Sequence, residues 1–527
     1  MKNVVELNLG FSDAQNYTQK DNKQMLNEVF VKNRFLDDII EPSKYFLIGE
    51  KGTGKSAYAV FLNNNEYKNN RSLLKFISAT DYDKFYTLKK DKQLKLTDYT
   101  GIWKVILLLI LSKSITDNDK VISPFNRSGI EKLNAAIDDY YMNAFSPEII
   151  TALKIIDETS LAAKLISKYA EVGVTDKSAL EFSETRFQMN LYYIEKQFSD
   201  VIKKIKLSKS IILFIDGIDI RPNNIPYEDY IECIQGLANA FWSLNTDLFQ
   251  NVKDSKGHLK IVLLLRPDIF DALNLQNATN KILDNSVYLD WRTTYNEYRT
   301  SSLYDLSNKL LSYKNKIDEN MAWESYFDWK LRSTNKKREY DTAFMEFLRI
   351  SLSRPRDIVV ILQLLQEQMK QEGKIYSTKF EYSSYLCDNL QNNYSEYFMS
   401  SLKDHLSFYY SSEDYLHFLK LFEFFEEEEF SYQEYLTKYE SFVDYILEYA
   451  SEIPKFLDNP RVFLQFLYDA NIICVIKQTI GFEPYFYFSY REKNKANITP
   501  QVKTGNDCRY RFHYGLYKKT KFGSIHK

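Results

Sequence analysis

The sequence predicts an α/β protein: a parallel-sheet core with a helical insertion, then a helical region and a C-terminal module of helices with a hairpin. Three observations carry this. Tyr45-Phe46-Leu47-Ile48, Ile211-Ile212-Leu213-Phe214-Ile215 and Lys260-Ile261-Val262-Leu263-Leu264-Leu265 are strand-length apolar runs, each ending at a glycine or a charged residue. They are continuous rather than alternating, the pattern of parallel strands buried on both faces. From about residue 291 the strand signals give way to helical periodicity, and they return only at Ile472.

Composition narrows the function. A chain of 527 residues has a prior of three or four domains. Scarce Gly and Pro tilt it towards helix. The net charge of −2 excludes the whole chain as an electrostatic nucleic-acid binder. Charge is uneven, however. Glu426-Glu427-Glu428-Glu429 forms an acidic run, and the last 25 residues carry Lys503, Arg509, Arg511, Lys518, Lys519, Lys521 and Lys527 against Asp507 alone. Each reads either as solvated surface or, for the basic end, as a contact for DNA phosphates. Cys233, Cys387, Cys474 and Cys508 are too scattered for a disulfide framework or a zinc site. The start lacks a signal-peptide core, and the longest apolar run, Val105 to Leu111, is too short for a membrane span. The expectation is a soluble, cytoplasmic chain with no membrane partner.

Taken in order, residues 1–35 precede the first core strand, with a capped turn at Leu9 to Ala14 whose N-cap is Ser12 or Asp13. Asn27 to Ile40 reads as one helix. The strand Tyr45–Ile48 then runs into Gly49-Glu50-Lys51-Gly52-Thr53-Gly54-Lys55-Ser56 and the helical Ala57 to Leu62. This strand, glycine loop and helix satisfy the G-x-x-x-x-G-K-[ST] pattern in the context it requires. Glycines let backbone N–H groups turn towards phosphates at a helix N-terminus, Lys55 reaches the β- and γ-phosphates, and the Ser56 hydroxyl binds Mg²⁺. The motif implies a nucleoside triphosphate, ATP with Mg²⁺, held by Gly49 through Ala57. The alternative is a plain glycine-rich turn.

Ile77 to Thr80 reads as a short strand and Tyr99 to Ser114 as a largely buried helix. Residues 119–178 read as an inserted helical arm, and Ala179 to Ile205 as a long helix with a core stripe of Phe187, Leu191, Ile194 and Phe198. The next strand ends in Asp216, the carboxylate expected to hold Mg²⁺. Gly217 follows, where many ATPases place a second acid. Asp219 is the nearest candidate to orient an attacking water, its other role being a turn cap. Tyr227 to Phe249 reads as a helix. The strand Lys260–Leu265 ends in Arg266, which senses a γ-phosphate or makes a surface ion pair. Arg292, after the strand Val287–Leu289, is an arginine-finger candidate or a surface pair.

Trp291 to Met369 reads as a run of helices. Within it Ser353-Arg354-Pro355-Arg356-Asp357 opens a helix at Ile358 to Leu365, with Pro well suited to the first turn. Arginines at a helix N-terminus oppose its dipole unless an anion compensates. A nucleotide phosphate or Asp357 can do so. Beyond residue 400, helices at Tyr415–Phe425, Tyr432–Tyr439 and Arg461–Ala470 precede two strand runs, Ile472 to Ile476 and Pro484 to Tyr490, joined through Gln478-Thr479-Ile480-Gly481. Helices followed by a hairpin suggest a winged-helix-like domain.

The Gly49–Ser56 and Ile211–Asp216 motifs, with Arg266 and Pro355-Arg356, resemble the AAA+/STAND division of P-loop ATPases. There they would be the Walker A, Walker B, sensor 1 and sensor 2 elements. Tyr45–Ala59, Phe214–Pro222 and Phe512–Tyr517 resemble a poorly characterised, FunZ-like family of bacterial P-loop ATPases. The resemblance implies a P-loop NTPase core at 1–290 with its insertion at about 119–205, a helical lid at 291–400 and the winged-helix-like domain at 401–527. It implies catalytic roles for Lys55, Asp216, Arg266 and Arg356, to which Asp219 is added as a candidate by its position alone. It also implies a nucleotide-dependent switch or regulator in DNA transactions or antiphage defence, with a protein effector or a second copy of the chain as partner. Two departures are visible: Gly217 in place of the acid, and Arg354 in place of the usual Gly before Pro-Arg. A DNA-stimulated ATPase and a non-hydrolysing, ATP-bound scaffold remain as alternatives.

Overall fold

A computed structural model describes residues 1–77, 96–115, 192, 195–333, 339–449, 453–477, 484–505 and 507–516. The expectations for Ser78–Thr80, the arm at 119–178, most of the helix at 179–205, the Gln478–Gly481 connection and Lys518, Lys519, Lys521 and Lys527 lie outside these residues. The chain divides into two units, one of residues 34–48 and 55–287, the other of residues 1–33, 49–54 and 288–527. The division falls at Val287/Tyr288, and the first 33 residues group with the C-terminal part.

The first unit is built on a five-stranded sheet of β1 (Phe46–Ile48), β2 (Asn70–Phe76), β3 (Ser210–Asp216), β4 (Leu259–Leu265) and β5 (Ser286–Tyr288), in the order β2-β3-β4-β1-β5. β1 with β4, β4 with β3, and β3 with β2 run parallel. Every residue of β4 and all of β3 after Ser210 are buried, as their unbroken apolar runs require. Ile48 stands opposite Leu265 and Ile215 opposite Leu263, so β1, β3 and β4 end within about a residue of one another along one sheet edge. Ligands of open α/β sheets gather at such carboxyl ends. The Lys55–Asn64 helix buries Tyr58, Ala59, Val60, Phe61 and Leu62. The Leu96–Ser114 and Tyr227–Ser243 helices pack closely: a Cβ on Gly236 would stand 2.5 Å from that of Tyr99, and Trp103 Nε1 donates to the Cys233 carbonyl at 3.2 Å.

Two local expectations change. The helix read across Asn27–Ile40 is two, Lys23–Val29 and Arg34–Ile40, with Phe30 in an extended conformation between them. Val29-Phe30-Val31 lose rotamer freedom in a helix, and the break leaves Phe30 and Val31 buried. The helix from Tyr227 ends at Ser243 and continues as a π-helical turn, Leu244–Leu248, and a 3₁₀ turn, Phe249–Asn251.

The second unit contains helices Ser302–Ser312, Ala322–Tyr326, Ala343–Ile350, Pro355–Gln371 and Asp388–Leu406. The expectation that strands cease after residue 291 is corrected by β6 (Leu331–Arg332) and β7 (Tyr340–Asp341), an antiparallel pair too short to show alternation in sequence. The N-terminal segment lies along the Pro355–Gln371 helix. Arg356 Nε donates to Ser12 O (3.1 Å), Gln363 to Gly10 O (2.7 Å), and Gln366 to Leu7 O and Val4 O (both 2.8 Å). Asp13 caps the short helix Ala14–Thr18.

Helices Ser412–Leu419, Tyr432–Tyr449 and Pro460–Asp469 accompany an antiparallel sheet of β8 (Glu429–Ser431), β9 (Ile473–Lys477), β10 (Tyr485–Tyr487) and β11 (Arg509–Phe512), in the order β10-β9-β11-β8. The hairpin read from sequence is the β9–β10 pair. β8 and β11 are additions; Glu426, Glu427 and Arg509 are exposed, as the solvated-surface reading expects, and Arg511 departs from it by being largely covered. Arg511 pairs with Glu428 (3.0 Å) and Glu429 (2.8 Å), and Arg509 reaches Glu429 at 3.8 Å. Part of the acidic run and part of the basic end thus neutralise each other across neighbouring strands. Among the described residues no helix is long and apolar enough to cross a membrane.

Candidate functional site

In the sheet unit, Asp216 ends β3 and Ser56 lies in the first turn of the helix that follows β1. Ser56 Oγ donates to Asp216 Oδ2 at 2.5 Å, and the Gly217 N–H donates to Asp216 Oδ1 at 2.8 Å. Asp216 and Lys55 are both buried. Burial pushes the Asp216 carboxyl up to about 6, the Asp219 charge adding to it while Ser56, Lys55 and Gly217 pull the other way. Asp219 is therefore close enough to act electrostatically on the carboxylate it was expected to assist. A half-buried hydroxyl beside a buried carboxylate suits Mg²⁺, which takes one or two protein oxygens and completes its shell with water and phosphate. Among the described residues no three His, Cys, Asp or Glu side chains form a ready-made metal cage.

Gly217 has a structural reason. Its φ is +98°, and a Cβ there would stand 2.3 Å from the Ile77 carbonyl oxygen. No acid fits at this position, whatever the chemistry would prefer. Arg266 corrects the surface-pair alternative: it is fully buried, and its Nε and Nη2 grip Asp268 Oδ1 (3.0 Å) and Oδ2 (2.7 Å) side-on. Its charge at the tip of β4 is thus balanced by a carboxylate two residues on.

Gly49 to Gly54 belong to the second unit, and the chain enters the first at Lys55. Gly52 and Gly54 have φ of +89° and +90°, and a Cβ on Gly49 would meet Thr53 Oγ1 at 2.4 Å, so the loop needs all three glycines. Three consecutive loop carbonyls accept from outside the loop. Lys51 O accepts from Arg354 Nη1 (2.9 Å), Gly52 O from the Arg356 N–H (3.3 Å) and Thr53 O from Trp291 Nε1 (2.8 Å). In a trans peptide the next N–H points the opposite way. Holding these carbonyls outward therefore turns the Gly52 and Gly54 N–H groups inward, while the Thr53 N–H bonds Glu50 O at 3.2 Å. The loop side chains are held too: Glu50 pairs with Lys493 and Lys51 with Asp404, both at 2.8 Å.

The two arginines of the Pro355–Gln371 helix divide the roles weighed for them. Arg354 is compensated by Asp357, which is fully buried and accepts from Arg354 Nε (3.0 Å) and Nη2 (2.7 Å), Tyr397 OH (2.7 Å) and the Leu352 N–H (2.9 Å). Burial alone would raise this carboxyl; Arg354 outweighs it and holds the group below the usual range. Arg356 is half-buried, forms no ion pair among the described residues, and packs its Cβ against Gly52. Arg292 pairs with Asp290 and donates to the Arg491 carbonyl, the ion-pair alternative to a finger. Trp291, Asp404, Lys493 and the loop contact of Arg354 escape sequence reasoning, because nothing local to them signals a partner in the loop.

No family model matches the chain. A curated protein described as "Putative transposon gamma-delta 80.3 kDa protein", from Escherichia coli (strain K12), is similar at 22% identity over 408 residues. The match covers 72% of this chain and 50% of that protein, so the chain corresponds to about half the length of this relative.

Proposed function

We propose that the chain is a P-loop ATPase of the AAA+/STAND type, a nucleotide-dependent switch whose hydrolysis is slow. The observation that carries the reading is the 2.5 Å hydrogen bond between Ser56 of the G-x-x-x-x-G-K-S motif and the buried Asp216 at the end of a central parallel strand. Phosphate-loop chemistry needs a hydroxyl and a carboxylate side by side to hold a divalent cation. The inward N–H groups of Gly52 and Gly54 would bind phosphate oxygens, Lys55 would neutralise their charge, and Glu50, Lys51, Thr53 and Ala57 would line the motif. Ser56 and Asp216 would hold Mg²⁺, which supplies charge neutralisation when bound. Asp219 would orient water, and Arg266 and Arg356 would report the γ-phosphate. Slow turnover follows from Gly217, where steric closure forbids the acid that faster hydrolases use.

The biological setting, DNA transactions or antiphage defence, rests on the sequence resemblance and on the transposon-related description of the relative. A lid in the 291–400 region and a winged-helix-like module in 401–527 complete the reading, with a protein effector or another copy of the chain as partner. A DNA-stimulated ATPase is the second reading. Its basic surface is reduced by the pairing of Arg509 and Arg511 with Glu428 and Glu429. The third, an ATP-holding scaffold, shares the phosphate loop.

The deciding experiment is ATP binding and steady-state turnover of the full chain, with and without duplex DNA, against Lys55→Ala. Binding lost in Lys55→Ala with slow, DNA-indifferent turnover supports the switch. Strong stimulation by duplex moves the assignment to the second reading, and copurifying ATP with no turnover to the third. Equal ATP affinity in the two proteins would sink the phosphate-loop assignment.

A further inference from the structure

Glu50 and Lys51 occupy variable positions of the phosphate-loop motif, where the chemistry demands no charge, yet both are charged and both are held by opposite charges from far along the chain. The two pairs differ in weight. Asp404 is 57% exposed, so the Lys51–Asp404 pair is a solvent-screened contact of little consequence. Lys493 is 5% exposed and Glu50 21%, so that pair is largely shielded from solvent and weighs more than the exposed one. Lys493 is also rooted. It follows the Ser489–Glu492 turn, whose Tyr490 N–H donates to Asn471 Oδ1 at 2.8 Å and whose Arg491 carbonyl accepts from Arg292. Asn471 lies just before β9, and the turn follows β10.

The same loop is gripped by Trp291 and Arg354 through its carbonyls. Those contacts set the direction of its peptides. Lys493 instead ties its side-chain face to the β9–β10 hairpin. We infer that the Glu50–Lys493 pair is a clamp by which the C-terminal hairpin holds the phosphate loop closed and limits nucleotide exchange. The clamp itself is read from the contacts of the loop; its effect on exchange rests on the ATP-binding reading above. Its chemistry suits a gate. A phosphate anion arriving at the loop repels the Glu50 carboxylate and attracts Lys493, so nucleotide and clamp compete for one ammonium. A partner that displaces the hairpin would open the loop in the same way.

The experiment uses the full chain without nucleotide, following hydrogen–deuterium exchange of the peptide that covers residues 49–54. Lys493→Glu and Glu50→Lys should each speed amide exchange by about tenfold, the effect of losing one charged, largely buried hydrogen bond. The double variant Glu50→Lys/Lys493→Glu should restore protection. Lys493→Met, which keeps the packed stem, covers the case where a charge reversal does not fold. Unchanged protection in the single variants overturns the clamp, and so does a charge swap that fails to restore it. In a second arm, release of a fluorescent ADP analogue should quicken in the single variants and return to normal in the swap. Unchanged release beside altered exchange overturns the gating role. If the wild-type protein binds no analogue, the ATP reading falls, and the gating role with it, while the exchange arm still decides the clamp.

Discussion

Ser56 Oγ reaches Asp216 Oδ2 at 2.5 Å, joining the first turn of the helix after β1 to the last residue of β3. The carboxyl it meets is pushed up to about 6 by burial and by Asp219. On the proposed ATPase reading Mg²⁺ would require the ionised carboxylate, so proton and metal would compete for it. Mg²⁺-dependent ATP affinity should be level above pH 7 and fall about tenfold per unit below pH 6. Titration of ATP with Mg²⁺ between pH 5 and 8 checks this, and a flat profile would refute it. Asp219→Asn removes the like charge and should move the break to lower pH while reducing turnover. Turnover left intact would reduce Asp219 to a turn cap.

The same carboxyl bears on stability. Its folded value lies above the ordinary 3.8, so the protonated form is favoured by folding, and this contribution is lost as pH rises through about 6. Asp216→Asn, neutral throughout, should gain about 3 kcal/mol at pH 7 without nucleotide. It should also retain most nucleotide binding and lose Mg²⁺-dependent turnover. Thermal unfolding and a turnover assay on one preparation decide both. A normal rate removes Asp216 from the metal site.

Gly217 limits any attempt to install the missing acid. At φ +98°, with the Ile77 carbonyl oxygen 2.3 Å from where a Cβ would sit, Gly217→Glu should cost roughly 2–3 kcal/mol and give no faster hydrolysis. Gly217→Ala should cost nearly as much, since the clash begins at Cβ. A stable, faster Gly217→Glu enzyme would contradict this.

Arg354 and Asp357 form a buried pair that also fixes the Lys51 carbonyl. Asp357→Asn leaves the guanidinium without its carboxylate and should destabilise the protein by about 3–5 kcal/mol. Arg354→Lys should not rescue the site, because an ammonium cannot grip Asp357 and Lys51 O with the same fork. Chemical denaturation measures the first effect. Wild-type stability in Arg354→Lys would refute the second.

His513 supplies an acid-sensitive site. Burial holds its imidazole down to about 3, with Nδ1 accepting from the Gly515 N–H (3.1 Å) and the ring stacked on Phe398 (4.7 Å). A depressed folded value means stability is complete above the ordinary 6.5 and is lost as pH falls towards 3, by about 4 kcal/mol in all. His513→Asn, which keeps an acceptor near Gly515, should flatten the dependence between pH 6.5 and 4. Denaturation midpoints at several pH values test it, and an unchanged slope would place the acid sensitivity elsewhere.

Legibility in the sequence followed the range of the interactions. β1, β3 and β4 could be read because a strand buried on both faces must be apolar throughout. β2 could not, because Asn70, Arg71, Ser72 and Lys75 break its apolar run; nor could β6, β7, β8 and β11, being two to four residues long or, for β8 and β11, charged residues paired across strands. The break at Phe30 was hidden because helical spacing continues on both sides of it.

The sequence by itself determined the parallel α/β core and the residue types at its carboxyl edge: the glycine loop, Lys55, Ser56, Asp216 and Arg266. Each belongs to a continuous stretch whose local geometry is set by glycine freedom or unbroken apolarity. Only the tertiary structure decided what holds the loop, because Trp291, Arg354, Asp404 and Lys493 come to it from 238, 303, 353 and 443 positions away from their partners. It also decided that Gly217 admits no side chain and that Asp268 engages the buried Arg266. Such contacts leave no periodicity in a sequence, since they depend on which surfaces the folded chain brings together.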